Sequence, residues 1–167
     1  LPRLDALDLS ALARLAADGR VTWAELASEL GLSPAAAAER VRRLERQGVI
    51  RGYAAIVEPA ALGLGLTALV GVTLARHRGR PVFLRRIQQL AEIQECHHVT
   101  GDYDYLLKVR CADTLALERL INDQLKDEAG VAETRTLIVL STAKETSSLP
   151  MPSASAARPR RRRPQKR

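Results

Sequence analysis

Arg40, Arg42, Arg43 and Arg46 fall within seven consecutive residues of this chain, and Arg51 follows closely. A guanidinium is a planar fork of donors that clamps a phosphate or pairs with two acceptors on a guanine edge. Glu39 and Glu45 stand among these arginines, so a solvated face of mixed charge is the plain alternative. A second cluster, Thr100-Gly101-Asp102-Tyr103-Asp104-Tyr105, offers different chemistry. A free amino acid carries an ammonium beside a carboxylate. Asp102 or Asp104 could hold the ammonium, and backbone donors near Gly101 could take the carboxylate. Gly101 also permits positive φ and close approach of a ligand. The competing reading is a tight strand connection whose aspartates are merely solvated.

Catalytic chemistry has no comparable constellation. His97 and His98 are adjacent in an expected strand, so they point to opposite faces. With Cys96 they make a poor metal site, and neither a metal nor another cofactor is expected. Cys96 and Cys111 fit neither a disulfide framework nor a zinc spacing, and read as small apolar fillers. No nucleophile–base pair stands out, so no catalytic residue is assigned and an enzyme is not expected. Gly63-Leu64-Gly65-Leu66-Thr67-Ala68 superficially matches a dinucleotide fingerprint, but it precedes a strand instead of opening a helix.

The arginines belong to the third of three expected helices. In the first, Leu4, Leu7, Ala11 and Leu15 recur at helical spacing, and Asp18-Gly19 ends it with a glycine suited to the left-handed cap. Thr22-Trp23-Ala24-Glu25 has capping-box spacing and starts a second helix with Leu26, Ala27 and Leu30 inward, stopping at Gly31. Ser33-Pro34 starts the third, with Ser as N-cap and Pro at the first helical position. Ala38, Val41 and Leu44 form its inner face, and Gly48 ends it. A turn as short as Gly31-Leu32-Ser33 between two short helices is the helix-turn-helix signature. The exposed face of its second helix fits a DNA major groove, and that helix's free N-terminal donors suit a phosphate. In this position the arginines point to double-stranded DNA.

Beyond Gly48 the period changes. Val49 to Val57, with Gly52 inside, reads as two short strands forming a wing, and Ala60 to Gly65 as a hinge. The rest follows a β-α-β-β-α-β order. Strands are expected at Leu66–Ala75, Ile93–Thr100, Tyr105–Cys111 and Val131–Leu140. Helices are expected after Pro81, with Phe83, Ile87 and Leu90 inward, and after the cap Asp113, with Leu117, Leu120, Ile121 and Leu125 inward. That order is the ferredoxin-like split βαβ. The expected class is therefore α+β: a winged helix-turn-helix over 1–57, a hinge over 58–65 and a ferredoxin-like domain over 66–146. Residues 147–167, dominated by Ser, Pro, Ala and Arg, form an expected disordered basic tail.

The formal charge of +7 sits on that tail. Arg158, Arg160–Arg163, Lys166 and Arg167 supply seven of the 26 basic residues, and the 19 that remain balance 19 acidic ones. The tail is expected to add sequence-independent affinity for DNA, steepening salt dependence by about 0.9 per phosphate met. No segment approaches the roughly 18 apolar residues of a membrane span. Leu1-Pro2-Arg3-Leu4 lacks the run of a signal peptide, which sets the expectation of a cytoplasmic protein without membrane partners.

Two blocks carry a family resemblance. One is Leu32-Ser33-Pro34 with Glu39-Arg40-Val41-Arg42-Arg43-Leu44-Glu45-Arg46-Gln47-Gly48, then Ile50 and Gly52-Tyr53. The other is Ile93-Gln94-Glu95-Cys96-His97 with Thr100-Gly101-Asp102-Tyr103-Asp104-Tyr105-Leu106-Leu107-Lys108. Both closely resemble the Lrp/AsnC regulators, and the resemblance covers roughly residues 4 to 145. It implies a transcriptional regulator in which a winged helix-turn-helix joins an amino-acid-binding ferredoxin-like domain. It further implies dimers formed through the second domain and assembled into rings or discs. A small amino acid, leucine among the candidates, would bind between subunits. The DNA-facing set implied is Thr22, Ser33, Pro34, Ala35, Ala36, Glu39, Arg40, Arg42, Arg43 and Arg51; the effector set is Thr100 to Tyr105.

One departure matters. Ala35-Ala36-Ala37-Ala38 stands where relatives often carry larger or polar residues, and alanine cannot read a donor or acceptor. Shape and phosphate contacts then carry more of the specificity. Two rival readings remain: a sirohaem-decarboxylase-like enzyme using His97 or His98 on the same architecture, and a chromatin-like architectural protein.

Overall fold

The structure, a computed structural model, describes residues 2–75, 79–127 and 130–151. Contacts divide it into two units, one of residues 2–55 with 145–151, the other Ile56–Lys144. Of the expected disordered tail, residues 152–167, including the arginine run, lie outside the described residues.

The first unit is built from α1 (Ala6–Ala17), α2 (Trp23–Leu30) and α3 (Pro34–Arg46). Local chemistry sets their starts. Asp5 and Asp8 form a capping box at α1, and Thr22 and Glu25 form one at α2. Ser33 accepts from the Ala36 N–H at 3.2 Å, with Pro34 in the first turn of α3. These groups satisfy donors that have no partner inside the helix. Gly31, at φ 66°, closes α2. The core between helices is small: Ala11, Val21, Leu26, Ala27, Leu30, Ala37 and Val41.

Two expectations fail here. Gly19 does not adopt the left-handed cap; α1 ends on an extended Asp18, and Gly19 lies against the ring of Tyr53. The expected wing strands do not form either. Residues 51–58 are exposed and unpaired in any ladder among the described residues. β-branched composition supplies strand propensity but no partner, and an isolated two-stranded ribbon is marginal in water. The Tyr53 hydroxyl ties the segment back, donating to Glu45 at 2.9 Å.

In the second unit, Pro59–Leu62 forms a 3-10 turn inside the expected hinge. Then come β1 (Leu66–Leu74), α4 (Arg80–Ile87), β2 (Ile93–His98), β3 (Tyr105–Cys111), α5 (Thr114–Arg119) and β4 (Val131–Ile138). The sheet order is β2-β3-β1-β4 with every neighbouring pair antiparallel, as the split βαβ requires. Alternation along β1 and β3 sends Ala68, Val70, Val72, Tyr105, Leu107, Val109 and Cys111 into a core shared with Phe83, Ile87, Leu117, Leu120 and Leu125. One departure from regular helix follows α5: Leu120–Asp127 winds as a π-helix. Its wider turn suits the burial of Leu120 and Leu125, five residues apart, in one core. The opposite face of the sheet carries Leu69, Leu106 and Leu137, the last 58% exposed. No described helix is long and apolar enough to cross a membrane.

Candidate functional site

The outer surface of α3 is made of small and charged groups. Ser33, Pro34, Ala35, Ala36, Glu39 and Arg42 are all exposed, while Ala37, Ala38, Val41 and Leu44 turn inward. Thr22 is exposed at the start of α2, its hydroxyl engaged with Glu25. The five arginines do not share one environment. Arg40 Nη1 lies 2.7 Å from Asp5 and 2.6 Å from Asp8, and Arg43 Nη2 lies 2.5 Å from Asp8. Burial pushes the Asp5 carboxyl up, but hydrogen bonds from Arg40 and the Asp8 N–H outweigh it and hold Asp5 below its ordinary range. The hydrogen bond to Asp5 raises Arg40 in turn. Arg46 pairs with Glu39 at 2.6 Å on the surface, and that bond lowers Glu39. Among the described residues, Arg42 and Arg51 make no ion pair, and both are exposed. The face can therefore offer two unengaged guanidiniums, one loosely engaged, and the backbone donors of the first turn of α3.

The loop from Thr100 to Tyr105 is not uniform. Asp104 is structural: its N–H donates to the Val72 carbonyl at 2.9 Å, and its carboxylate accepts from the Leu74 N–H at 2.8 Å. That carboxylate is spent on the end of β1. The Tyr103 ring lies flat over Gly71, where a Cβ would stand 2.8 Å from it, so only glycine lets the ring sit there unshifted. Tyr105 is in the core, its ring 4.9 Å from Phe83 and 5.1 Å from His98. Thr100, Gly101 and Asp102 are left exposed, with Gly101 at φ 114°. The open carboxylate of the loop is Asp102.

The two histidines face opposite ways. His97 pairs with Glu95 at 3.0 Å opposite Leu106, whereas His98 stacks against Tyr105. Cys111 is buried and Cys96 partly so, and burial pushes both thiols up. Among the described residues no three His, Cys, Asp or Glu side chains gather as a metal site would need. Sequence reasoning missed Asp8, which looks like an ordinary first-turn acid. The signal was present: Asp5 and Asp8, three apart on one helix, mirror Arg40 and Arg43, three apart on another.

Comparison with known proteins adds independent findings. A family profile described as the Lrp/AsnC ligand binding domain matches residues 67–149, and a winged helix-turn-helix DNA-binding profile matches residues 4–51. The leucine-responsive regulatory protein of Escherichia coli is 45% identical over 150 residues, covering 87% of this chain and 90% of its own. A transcriptional regulator of Neisseria meningitidis, crystallised with L-methionine, superposes with a TM-score of 0.83 at 34% identity, over 88% of this chain and 96% of that one. The feast or famine regulatory protein of M. tuberculosis, also in complex with L-methionine, gives 0.83 at 38% identity, over 89% and 99%.

Proposed function

The chain belongs to the Lrp/AsnC family of DNA-binding transcriptional regulators, and from that premise we propose that it reads DNA as a cytoplasmic homodimer under the control of a small amino acid. It acts by binding, without catalysis. The helix α3 enters the major groove. Ser33, Pro34, Ala35, Ala36 and Glu39 lie at the groove, with Thr22, Arg42 and Arg51 reaching the flanking phosphates. With alanine at the front of that helix, direct base readout is sparse and DNA shape supplies more of the preference.

The single observation that carries the sensor reading is the loop after β2: a left-handed Gly101 beside an uncommitted Asp102, within the region matching the ligand-binding profile. Asp102 takes the ammonium, and N–H groups near Gly101 take the carboxylate. Because two similar regulators hold L-methionine, methionine and leucine are the first ligands to try. Dimerisation proceeds through the uncovered face of the sheet, where Leu69, Leu106 and Leu137 would otherwise stay wet. Pairing two reading heads raises affinity by effective concentration.

Fluorescence anisotropy of the full chain on the DNA upstream of its own gene tests both parts. Tight binding over random duplex, altered by one amino acid, is expected. Binding that no amino acid changes removes the sensor; no preference over random duplex removes the sequence-specific reader.

A further inference from the structure

Asp8 is the one charged side chain fully buried among the described residues, 1% exposed. A carboxylate out of water is tolerated only when paired, and Asp8 is paired twice over. One oxygen takes Arg40 Nη1 at 2.6 Å and Arg43 Nη2 at 2.5 Å; the other accepts from the Asp5 N–H at 3.0 Å. Asp5 grips Arg40 from the outside at 2.7 Å. The Arg43 Nε is buried with no partner of its own, so that guanidinium depends on Asp8. Beside this ionic seam, α1 and α3 meet through Ala11, Ala37 and Val41, fully buried but short. Such side chains bring helices close without keying their rotation.

We infer that Asp8 is a positioning residue for DNA reading: it fixes the rotation of α3 and holds Arg40 and Arg43 in its own ion pairs. The DNA-facing charge of α3 is then left to Arg42 and the loosely held Arg46. This rests on the proposed DNA reading. It also divides the arginines of one helix into two classes that their spacing alone does not separate. Asp8 touches no DNA; it acts through the two arginines.

Salt dependence of binding by the full chain tests this, on a synthetic mixed-sequence duplex and on a duplex enriched from a random pool by the wild-type chain. In Asp8→Asn the released arginines become available to phosphate. The dependence on mixed-sequence duplex should steepen by up to about 1.8 per protomer, about 0.9 for each guanidinium. Preference for the enriched duplex should fall about tenfold, the size of one lost base contact. Asp8→Glu, which restores the charge, should return the shallower slope. A lower melting temperature with slope and preference unchanged would mean a purely structural role and overturn the inference.

Should Asp8→Asn fail to fold, the arginines are tested singly. Arg42→Gln is expected to flatten the slope by about 0.9, while Arg40→Gln and Arg43→Gln leave it at the wild-type value. Equal flattening by all three overturns the inference. A wild-type chain that binds neither duplex overturns the DNA reading itself, a result distinguishable from both.

Discussion

Between α1, α2 and α3 the buried core is wholly aliphatic, with Ala11, Val21, Leu26, Ala27, Leu30, Ala37 and Val41, whereas the sheet unit buries Phe83, Tyr105, Leu107 and Leu125. The sheet unit gets its geometry from ladders and bulk: β1 is paired along both edges, and its core-facing residues alternate against two helices. The helical unit has no ladder, and where α1 meets α3 the short side chains of Ala11, Ala37 and Val41 pack without specifying an angle. Orientation there falls to polar groups, namely three side-chain caps and the seam of Asp5, Asp8, Arg40 and Arg43. The seat of α3 on α1 is thus fixed by charge and the sheet unit by packing. Salt and pH should disturb the two unequally.

The sharpest way to break this comparison is Phe83→Ala. Phe83 is fully buried, and its loss should cost about 3–5 kcal/mol. Trp23, the single tryptophan, lies in the helical unit and reports on that unit alone. Urea unfolding followed by backbone exchange in β1 should shift strongly while the Trp23 fluorescence transition holds. Equal shifts would show that the two units unfold as one. A smaller effect is expected from Gly71→Ala, whose Cβ would displace the Tyr103 ring at about 1–3 kcal/mol. Anisotropy should show DNA binding intact but its response to amino acid weakened; a full response would mean that Tyr103 does not set the loop. Smaller still, Ser33→Ala removes the cap of α3 and should cost about 1 kcal/mol, visible in the Trp23 transition and absent from the sheet.

Acid gives the mildest test. Asp5, Asp18, Glu25 and Glu39 in the helical unit all lie below their ordinary 3.8 or 4.5, against Glu95 in the sheet unit. A depressed carboxyl stabilises the fold above its ordinary value, and that contribution is lost as pH falls through the lower folded value. Below about pH 4 the Trp23 transition should therefore weaken before strand protection does. The groups are largely exposed, so the difference is small and should shrink with added salt. The reverse order would contradict a charge-held reading head.

What could be read from the chain alone follows the same divide. Caps are local, so Thr22 with Glu25, Ser33 with Pro34, and Asp113 marked three helix starts without any knowledge of tertiary structure. Strand order followed from the alternation of elements. The two strands expected over residues 49–57 did not follow, because pairing needs a partner that those residues do not name. Asp102 and Asp104 looked equivalent in sequence; only the fold brings Asp104 to the Leu74 N–H, thirty residues away, and leaves Asp102 open. Asp8 was hidden for a related reason, since its partners lie on another helix.

The register of β1 also bears on how the chain comes to be folded. Its residue Ala68 pairs with Val109 on one side and Ile138 on the other, so the central strand waits for the last one to be made. Such distant pairings are slow, whereas three short helices with local contacts close quickly. During synthesis the reading head can therefore be complete while the sheet still lacks an edge. A nascent chain would carry a finished helix-turn-helix before it owned a closed sheet.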